Sequence, residues 1–412
     1  MDESKIADNL LVKLRQITAA EEDTAPVPVI VRYRQGVART RTVRLGVQAT
    51  HVFNLTPTVA ATMSRRDIAG LSDESNVEYI WLDEEIHTCL DRSVPAISVP
   101  AVWNAGYRGT GIKVAVVDTG IDRTHPDFAG RIVDGASFVG GDYQDDNGHG
   151  THVASICAGS GAAQEGTYRG VAPEARLYAA KVLDSGGSGS MSGVMAGVEW
   201  AVDQGVQVIN LSLGGSGSSD GQDALSLTCN AAVSRGIVVC VAAGNEGPLA
   251  RTVGSPGAAA DVITVGAVDR ADRVASFSSR GPTRDGRTKP DICFPGVGIV
   301  AARAAGTTMG SPMGSHYTAS DGTSMATPHA SGLAALLIQA RLSSSPAQIK
   351  QALTETALDL GVDANTQGAG RARAEHALAA IRGDTPPPDE PTPPPPTTPG
   401  CLLAFLMPFM NH

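Results

Sequence analysis

Residues 112–122 read Ile112-Lys113-Val114-Ala115-Val116-Val117-Asp118-Thr119-Gly120-Ile121-Asp122. Val114 to Val117 is an unbroken apolar run with no polar alternation. Such a run predicts a strand of a parallel sheet covered on both faces. It ends in Asp118 and a glycine turn, so the carboxylate is expected at the C-terminal edge of the sheet. Open α/β sheets place their sites at that edge. A carboxylate there also serves as a helix cap or a metal ligand, so the strand end alone assigns no role.

The same reading extends along the chain. Strands are predicted at Leu177–Val182, Val206–Leu211, Ile237–Ala242 and Val262–Val268, with helices at Ser192–Gln204 and Ala224–Ser234. Strands alternating with helices predict an α/β fold, a mostly parallel sheet with helices on both faces. A chain of 412 residues holds one large core and a smaller unit. A formal charge of −10 argues against a nucleic-acid partner. Six cysteines, at 89, 157, 229, 240, 293 and 401, follow no disulfide-scaffold or metal-site spacing. Cys157, Cys229 and Cys240 fall in apolar contexts and read as buried thiols, with Cys229–Cys240 as one conceivable bridge.

Two further runs supply the partners a carboxylate needs for nucleophilic chemistry. Asn147-Gly148-His149-Gly150-Thr151-His152-Val153-Ala154 places an imidazole between glycines at the start of a helix. Gly322-Thr323-Ser324-Met325-Ala326-Thr327-Pro328 places a hydroxyl where an apolar helix begins. At a helix N-terminus unpaired N–H groups favour a developing negative charge. A serine there is also an ordinary N-cap. A serine hydroxyl is a weak nucleophile until a base removes its proton.

With these runs in the order Asp118, His149, Ser324, the chain closely resembles the subtilisin-like serine proteases, the subtilases, whose triad order this is. The matching runs are Val116–Gly120, His149–Ala154 and Gly322–Pro328, and the likeness covers roughly residues 100–382. The resemblance implies Ser324 as nucleophile, His149 as base and Asp118 as its orienting carboxylate. It makes Asn245, in Ala243-Gly244-Asn245-Glu246, the side-chain donor of an oxyanion hole completed by the Ser324 N–H. It implies polypeptide substrates that pair as added strands with Lys181–Gly189 and Val208–Gly215. Gly187, Ser188, Gly189 and Met191 would border the more distant subsites. Ser212, Leu213, Gly214, Ala243 and Gly244 would line a pocket suited to apolar residues, with Glu246 at its rim. Asp122 and His152 read as structural.

The resemblance also divides the chain: an extension, 1–26; a small α+β propeptide domain, 27–90; the catalytic domain, 91–382; a proline-rich linker, 383–400; and an apolar tail, 401–412, too short to span a bilayer. Within the propeptide, strands are expected at Val27–Arg34, Val43–Phe53 and Val77–Leu82 and a helix at Ala60–Leu71. By resemblance this domain assists folding, inhibits the enzyme, and is removed by self-cleavage between Ile86 and Val94. Calcium is the implied cofactor, with Asp127 as a ligand, although Gly159–Gly166 lacks the asparagine-rich pattern expected beside it. Asp321 stands where the family usually carries serine, an extra carboxylate beside Ser324. The resemblance implies extracellular action. The opening residues Met1–Lys5 carry no apolar signal segment, which leaves the cytoplasm open. The activity expected is endopeptidase. A transpeptidase or macrocyclase on the same triad, and an inactive peptide-binding module plugged by residues 1–90, are the alternatives.

Overall fold

The computed structural model describes residues 1–16, 26–34, 49–52, 58–83 and 90–388. Cys89, Cys401, the tail 401–412, the linker from 389 and the Ile86–Cys89 part of the cleavage window lie outside them. The chain divides into two units, Met1–His87 and Thr88–His412.

In the first unit, strands β1 (Val27–Tyr33), β2 (Ala49–Val52), β3 (Thr58–Met63) and β4 (Val77–Leu82) form a sheet in the order β2-β3-β1-β4. Helix α1 (Asp8–Gln16) buries Leu10 and Leu14, one turn apart, with Ile6 against Val29, Val31 and Ile80. Residues Ile6, Leu10 and Leu14 therefore belong to this unit's core. The helix expected at Ala60–Leu71 is corrected. Thr58–Met63 is a strand paired on both sides, and helix α2 spans Arg65–Ser72. The reason is local. The Asp67 N–H donates to Ser64 Oγ (3.1 Å), while Asp67 Oδ2 accepts from the Ser64 N–H (3.4 Å). This reciprocal cap starts the helix at residue 65.

The second unit opens with helices α3 (Leu90–Ala96) and α4 (Val99–Asn104). Its sheet comprises β5 (Lys113–Asp118), β6 (Ile132–Ser137), β7 (Arg176–Lys181), β8 (Val208–Leu211), β9 (Val238–Ala242), β10 (Ile263–Val268) and β11 (Ile292–Pro295), in the order β11-β10-β9-β8-β5-β7-β6. Every pair is parallel. The chain builds β6 and β7 on one side of β5 and β8 onward on the other, so β5 stands at the topological switch point.

Successive side chains enter two separate cores. Val114, Val116, Leu177, Ala179, Val208 and Cys240 pack with α5 (His149–Ala158) and α8 (Thr323–Ala340). Ala115, Val117, Ala180, Ile209, Leu211 and Val241 pack with α6 (Met191–Asp203) and α7 (Ala224–Ser234). Helices thus cover both faces, and the apolar runs follow from it. Helix α8 is buried from Met325 to Ile338. Strands β12 (Ile299–Ala302), β13 (Ser311–Met313) and β14 (Tyr317–Ser320) form a small antiparallel sheet. Helices α9 (Pro346–Glu355), α10 (Ala364–Gln367) and α11 (Ala374–Arg382) close the unit. Among the described residues no helix is long and apolar enough to cross a membrane.

Cys157, Cys229, Cys240 and Cys293 are buried free thiols. Burial pushes Cys229 and Cys240 up to about 12. The Cys229–Cys240 bridge does not form. Cys240 faces the α8 core and Cys229 lies in the α7 core, on the opposite side of the sheet.

Candidate active site

Asp118 ends β5, fully buried. Its Oδ1 accepts from the Thr119 N–H (2.8 Å) and lies 2.7 Å from His149 Nδ1. A buried carboxylate facing one ring nitrogen fixes the imidazole's orientation and the tautomer protonated at that nitrogen. The His149 side chain, 23% exposed, heads α5. The approach needs glycine at 150, where a Cβ would collide with the Gly120 carbonyl. Burial acts to lower the His149 pKa. The charge and hydrogen bond of Asp118, with the charge of Asp145, outweigh it, and the net shift is upward.

Ser324 is the second residue of α8. Its Oγ donates to the Ser212 carbonyl (3.0 Å), and the Ser212 Oγ donates back to the Ser324 carbonyl (2.8 Å). In a regular helix that carbonyl accepts from residue 328, which is proline and has no N–H. Ser212 supplies the missing donor. Asn210 Nδ2 donates to Ser212 Oγ (3.0 Å), and Asn210 Oδ1 accepts from Ser331 (2.8 Å). A buried polar relay therefore runs from β8 into α8.

The Asn245 carboxamide is oriented by donors that leave no ambiguity. Its Oδ1 accepts from the Thr323 N–H (2.9 Å) and the Thr323 hydroxyl (3.0 Å). The amide nitrogen is left to face the cleft that Asn245 lines.

His149, Ser324 and Asn245 line one cleft of about 720 Å³. Gly187, Ser188, Gly189 and Met191 line it on one side. Ser212, Leu213, Gly214, Ala243, Gly244 and Glu246 line it as well. Glu246 Oε2 accepts from the Gly217 N–H (2.9 Å), which holds the carboxylate at the rim. Asp118 lies beneath, reached through His149. Asp321 Oδ1 accepts from the Gly298 N–H, so this carboxylate is held by the backbone. His152 is buried, its Nε2 at 3.1 Å from both the Ile299 and Thr318 carbonyls. Burial pushes its pKa down to about 4.

The surroundings of Asp127 do not fit calcium. The Tyr317 hydroxyl donates to Oδ1 and Oδ2 (3.0 and 3.1 Å), and the Ala163 N–H donates to Oδ1 (3.0 Å). The guanidinium of Arg131 donates to the Asp127 carbonyl. A hard cation needs further oxygen acceptors here, whereas the carboxylate meets donors. Among the described residues no three His, Cys, Asp or Glu side chains gather into a ligand group. The short loop Gly159–Gly166 carries the Ala163 donor in place of an asparagine-rich segment, and that departure was readable in the sequence.

Sequence reasoning missed Asn210, Thr323 and Asp145. The signal for Asp145 was its place four residues before His149 in Asp145-Asp146-Asn147-Gly148-His149.

Comparison with known proteins agrees with this geometry. Residues 109–372 match the subtilase family, Peptidase_S8. The chain is 42% identical over 335 residues to serine protease AprX of Bacillus subtilis, covering 75% of this chain and 76% of the relative. It is 42% identical over 318 residues to subtilisin E of the same species, covering 75% and 77%. A crystal structure of a cold adapted subtilisin-like serine proteinase superposes with a TM-score of 0.52 at 34% identity, covering 65% of this chain and 88% of that one. From the parallel sheet, the clefted strand ends and these likenesses together, the chain belongs to the subtilase family of subtilisin-like serine proteases.

Proposed function

We propose that the chain is an endopeptidase acting through an acyl-enzyme on Ser324. His149 takes the Ser324 proton as the hydroxyl attacks the peptide carbonyl, and Asp118 stabilises the imidazolium that forms. Asn245 Nδ2 and the Ser324 N–H receive the oxyanion at the start of α8. His149 then gives its proton to the leaving amine and activates the water that frees the acid. Before attack the Ser324 hydroxyl swings from the Ser212 carbonyl toward His149, a side-chain rotation that costs little time. The observation that carries this reading is the 2.7 Å contact of His149 with a fully buried Asp118, beside a cleft shared with Ser324.

The small apolar lining supports a preference for apolar residues before the cleaved bond. Resemblance supports self-removal of a propeptide ending between Ile86 and Val94, its action as an intramolecular inhibitor, and work outside the cell. The deciding test is fluorophosphonate labelling of wild type and Ser324→Ala after propeptide removal, alongside casein hydrolysis. Labelling and hydrolysis confined to the wild type are expected; equal labelling of both refutes Ser324 as nucleophile. N-terminal sequencing of the processed enzyme locates the bond, and a mature start before residue 80 refutes the window.

A further inference from the structure

The geometry points to Asp145 as a positioning residue for the catalytic pair: one buried carboxylate that binds the turn carrying Asp118 to the helix start carrying His149. Asp145 is 2% exposed. Its Oδ1 accepts from the Thr119 hydroxyl (2.9 Å), the Asn147 N–H (3.0 Å) and the Gly148 N–H (2.9 Å). Its Oδ2 accepts from the Thr151 N–H (2.9 Å) and hydroxyl (2.6 Å). These five donors come from both sides of the site. Thr119 follows Asp118, while Asn147, Gly148 and Thr151 flank His149.

The two threonines extend the clamp. Thr119 Oγ1 accepts from the Gly150 N–H (2.8 Å), and Thr151 Oγ1 accepts from the Asp122 N–H (2.9 Å). Helix α5 needs such a group. Its N-cap, Gly148, has no side chain to receive the first N–H groups. Asp145 receives the Thr151 N–H of the first turn, the Thr119 hydroxyl that Asp145 holds receives the Gly150 N–H, and the His149 N–H goes to Asn147 Oδ1, so the Asp145 carboxylate lies at the positive end of the helix.

That charge also faces the imidazole. The titratable groups around His149 are Asp118, Asp145 and His152. Lys181 lies beyond, its Nζ on the Thr119 carbonyl (2.7 Å) and on Asp146 (2.6 Å). Asp145 therefore does two things: it holds His149 over Asp118, and it favours the protonated ring that forms when Ser324 is attacking.

The inference rests on the serine-protease reading, and Asp145→Asn separates the two. In the variant an amide cannot accept all five donors, and its charge is gone. Fluorophosphonate labelling and peptide kcat are expected to fall 10- to 100-fold, the scale of a misplaced catalytic group. KM is expected to stay within about threefold, because Asp145 does not line the cleft. The acid limb of kcat/KM against pH is expected to move to lower pH. A merely structural role would lower the melting temperature and leave that limb in place, which would overturn the proposal. A folded variant labelling at the wild-type rate would overturn it too. Should Asp145→Asn not fold, Thr119→Val with Thr151→Val removes two donors and keeps the charge. A labelling rate reduced at least fivefold is then expected, and an unchanged rate overturns the clamp. Failure of the wild type to label would count against the serine-protease reading itself.

Discussion

The Ser212 hydroxyl donates to the Ser324 carbonyl at 2.8 Å and occupies the position that the Pro328 N–H would have taken in an unbroken helix. The proline lies one turn beyond Ser324. It frees the carbonyl of that residue for an outside partner, and β8 provides one.

Ser212→Ala removes this donor and leaves a buried carbonyl unsatisfied. A stability loss of about 1–3 kcal/mol is expected, with kcat down roughly tenfold as the first turn of α8 loosens. Adding Pro328→Ala returns an N–H and is expected to recover most of the stability. Urea unfolding of the single and double variants in the Ser324→Ala background, which prevents autolysis, checks it. Losses that simply add would show that the two sites are uncoupled.

The upward shift of His149 sets the acid limb. A raised pKa keeps the ring protonated, and so unable to act as base, to a pH above the ordinary 6.5. Activity is expected to fall as pH drops through a value higher than 6.5. Asp118→Asn lowers that limb and is expected to cut kcat by roughly 10⁴, the loss this change causes in a chymotrypsin-type triad. A limb at or below 6.5 in the wild type would contradict the assignment.

Asn245→Ala is expected to cost about 10²–10³ in kcat with little change in KM, as removal of this donor does in a subtilisin. Thr323→Val removes the hydroxyl donor and leaves Asn245 Oδ1 held by the residue-323 N–H alone, and is expected to cost less, roughly tenfold. Steady-state kinetics on one peptide series orders the two. A Thr323→Val enzyme as impaired as Asn245→Ala would mean that the threonine acts by another route.

Chelation is expected to leave the melting temperature unchanged insofar as it depends on Asp127. Tyr317→Phe strips a donor from the buried carboxylate and is expected to cost about 1.5–3 kcal/mol, several degrees in melting temperature. Calorimetry with and without chelator tests both statements. A chelator-induced drop that Asp127→Asn abolishes would restore a cation there.

Acid sensitivity is expected to come largely from two buried histidines. His329, its Nε2 at 2.9 Å from Ser93 Oγ and its Nδ1 at 2.9 Å from the Met325 carbonyl, is pushed by burial down to about 4, as is His152. The folded state keeps both neutral while the unfolded chain binds protons below 6.5. Stability is therefore full above that pH and is lost progressively as pH falls toward 4, about 3 kcal/mol for each ring. Unfolding curves of Ser324→Ala between pH 7 and 4 measure the slope, which His329→Gln should reduce by about half. An unchanged slope would place the acid sensitivity elsewhere.

Much of the fold was legible because the central strands are buried on both faces. The run from Val114 to Val117 needs no alternation when each face meets its own helices. Ala60–Leu71 misled because Ala61, Met63, Ile68 and Leu71 fit a helical stripe, while the start signal, Ser64 with Asp67, sits inside the window. The packing of Leu10 and Leu14 was not legible, since only the four-stranded sheet shows what they cover. Asp118, His149, Ser324 and Asn245 could be picked out as candidates from short runs that each carry their own glycine or helix context. Asp145, Thr323 and Asn210 were not. Thr323 and Asn210 meet Asn245 and Ser331, 78 and 121 residues away, which no local pattern encodes, and the place of Asp145 before His149 does not reveal its bond to Thr119, 26 residues away. The hydroxyl that meets Asp127 was likewise out of reach of the sequence, since Tyr317 lies 190 residues away in the chain.

The odd and even residues of β5 look into different interiors, and only one of those interiors contains the helix that bears Ser324. A protein engineer could therefore redesign the packing around Ala115, Val117 and Ala180 to raise heat tolerance and leave the core behind Ser324 untouched.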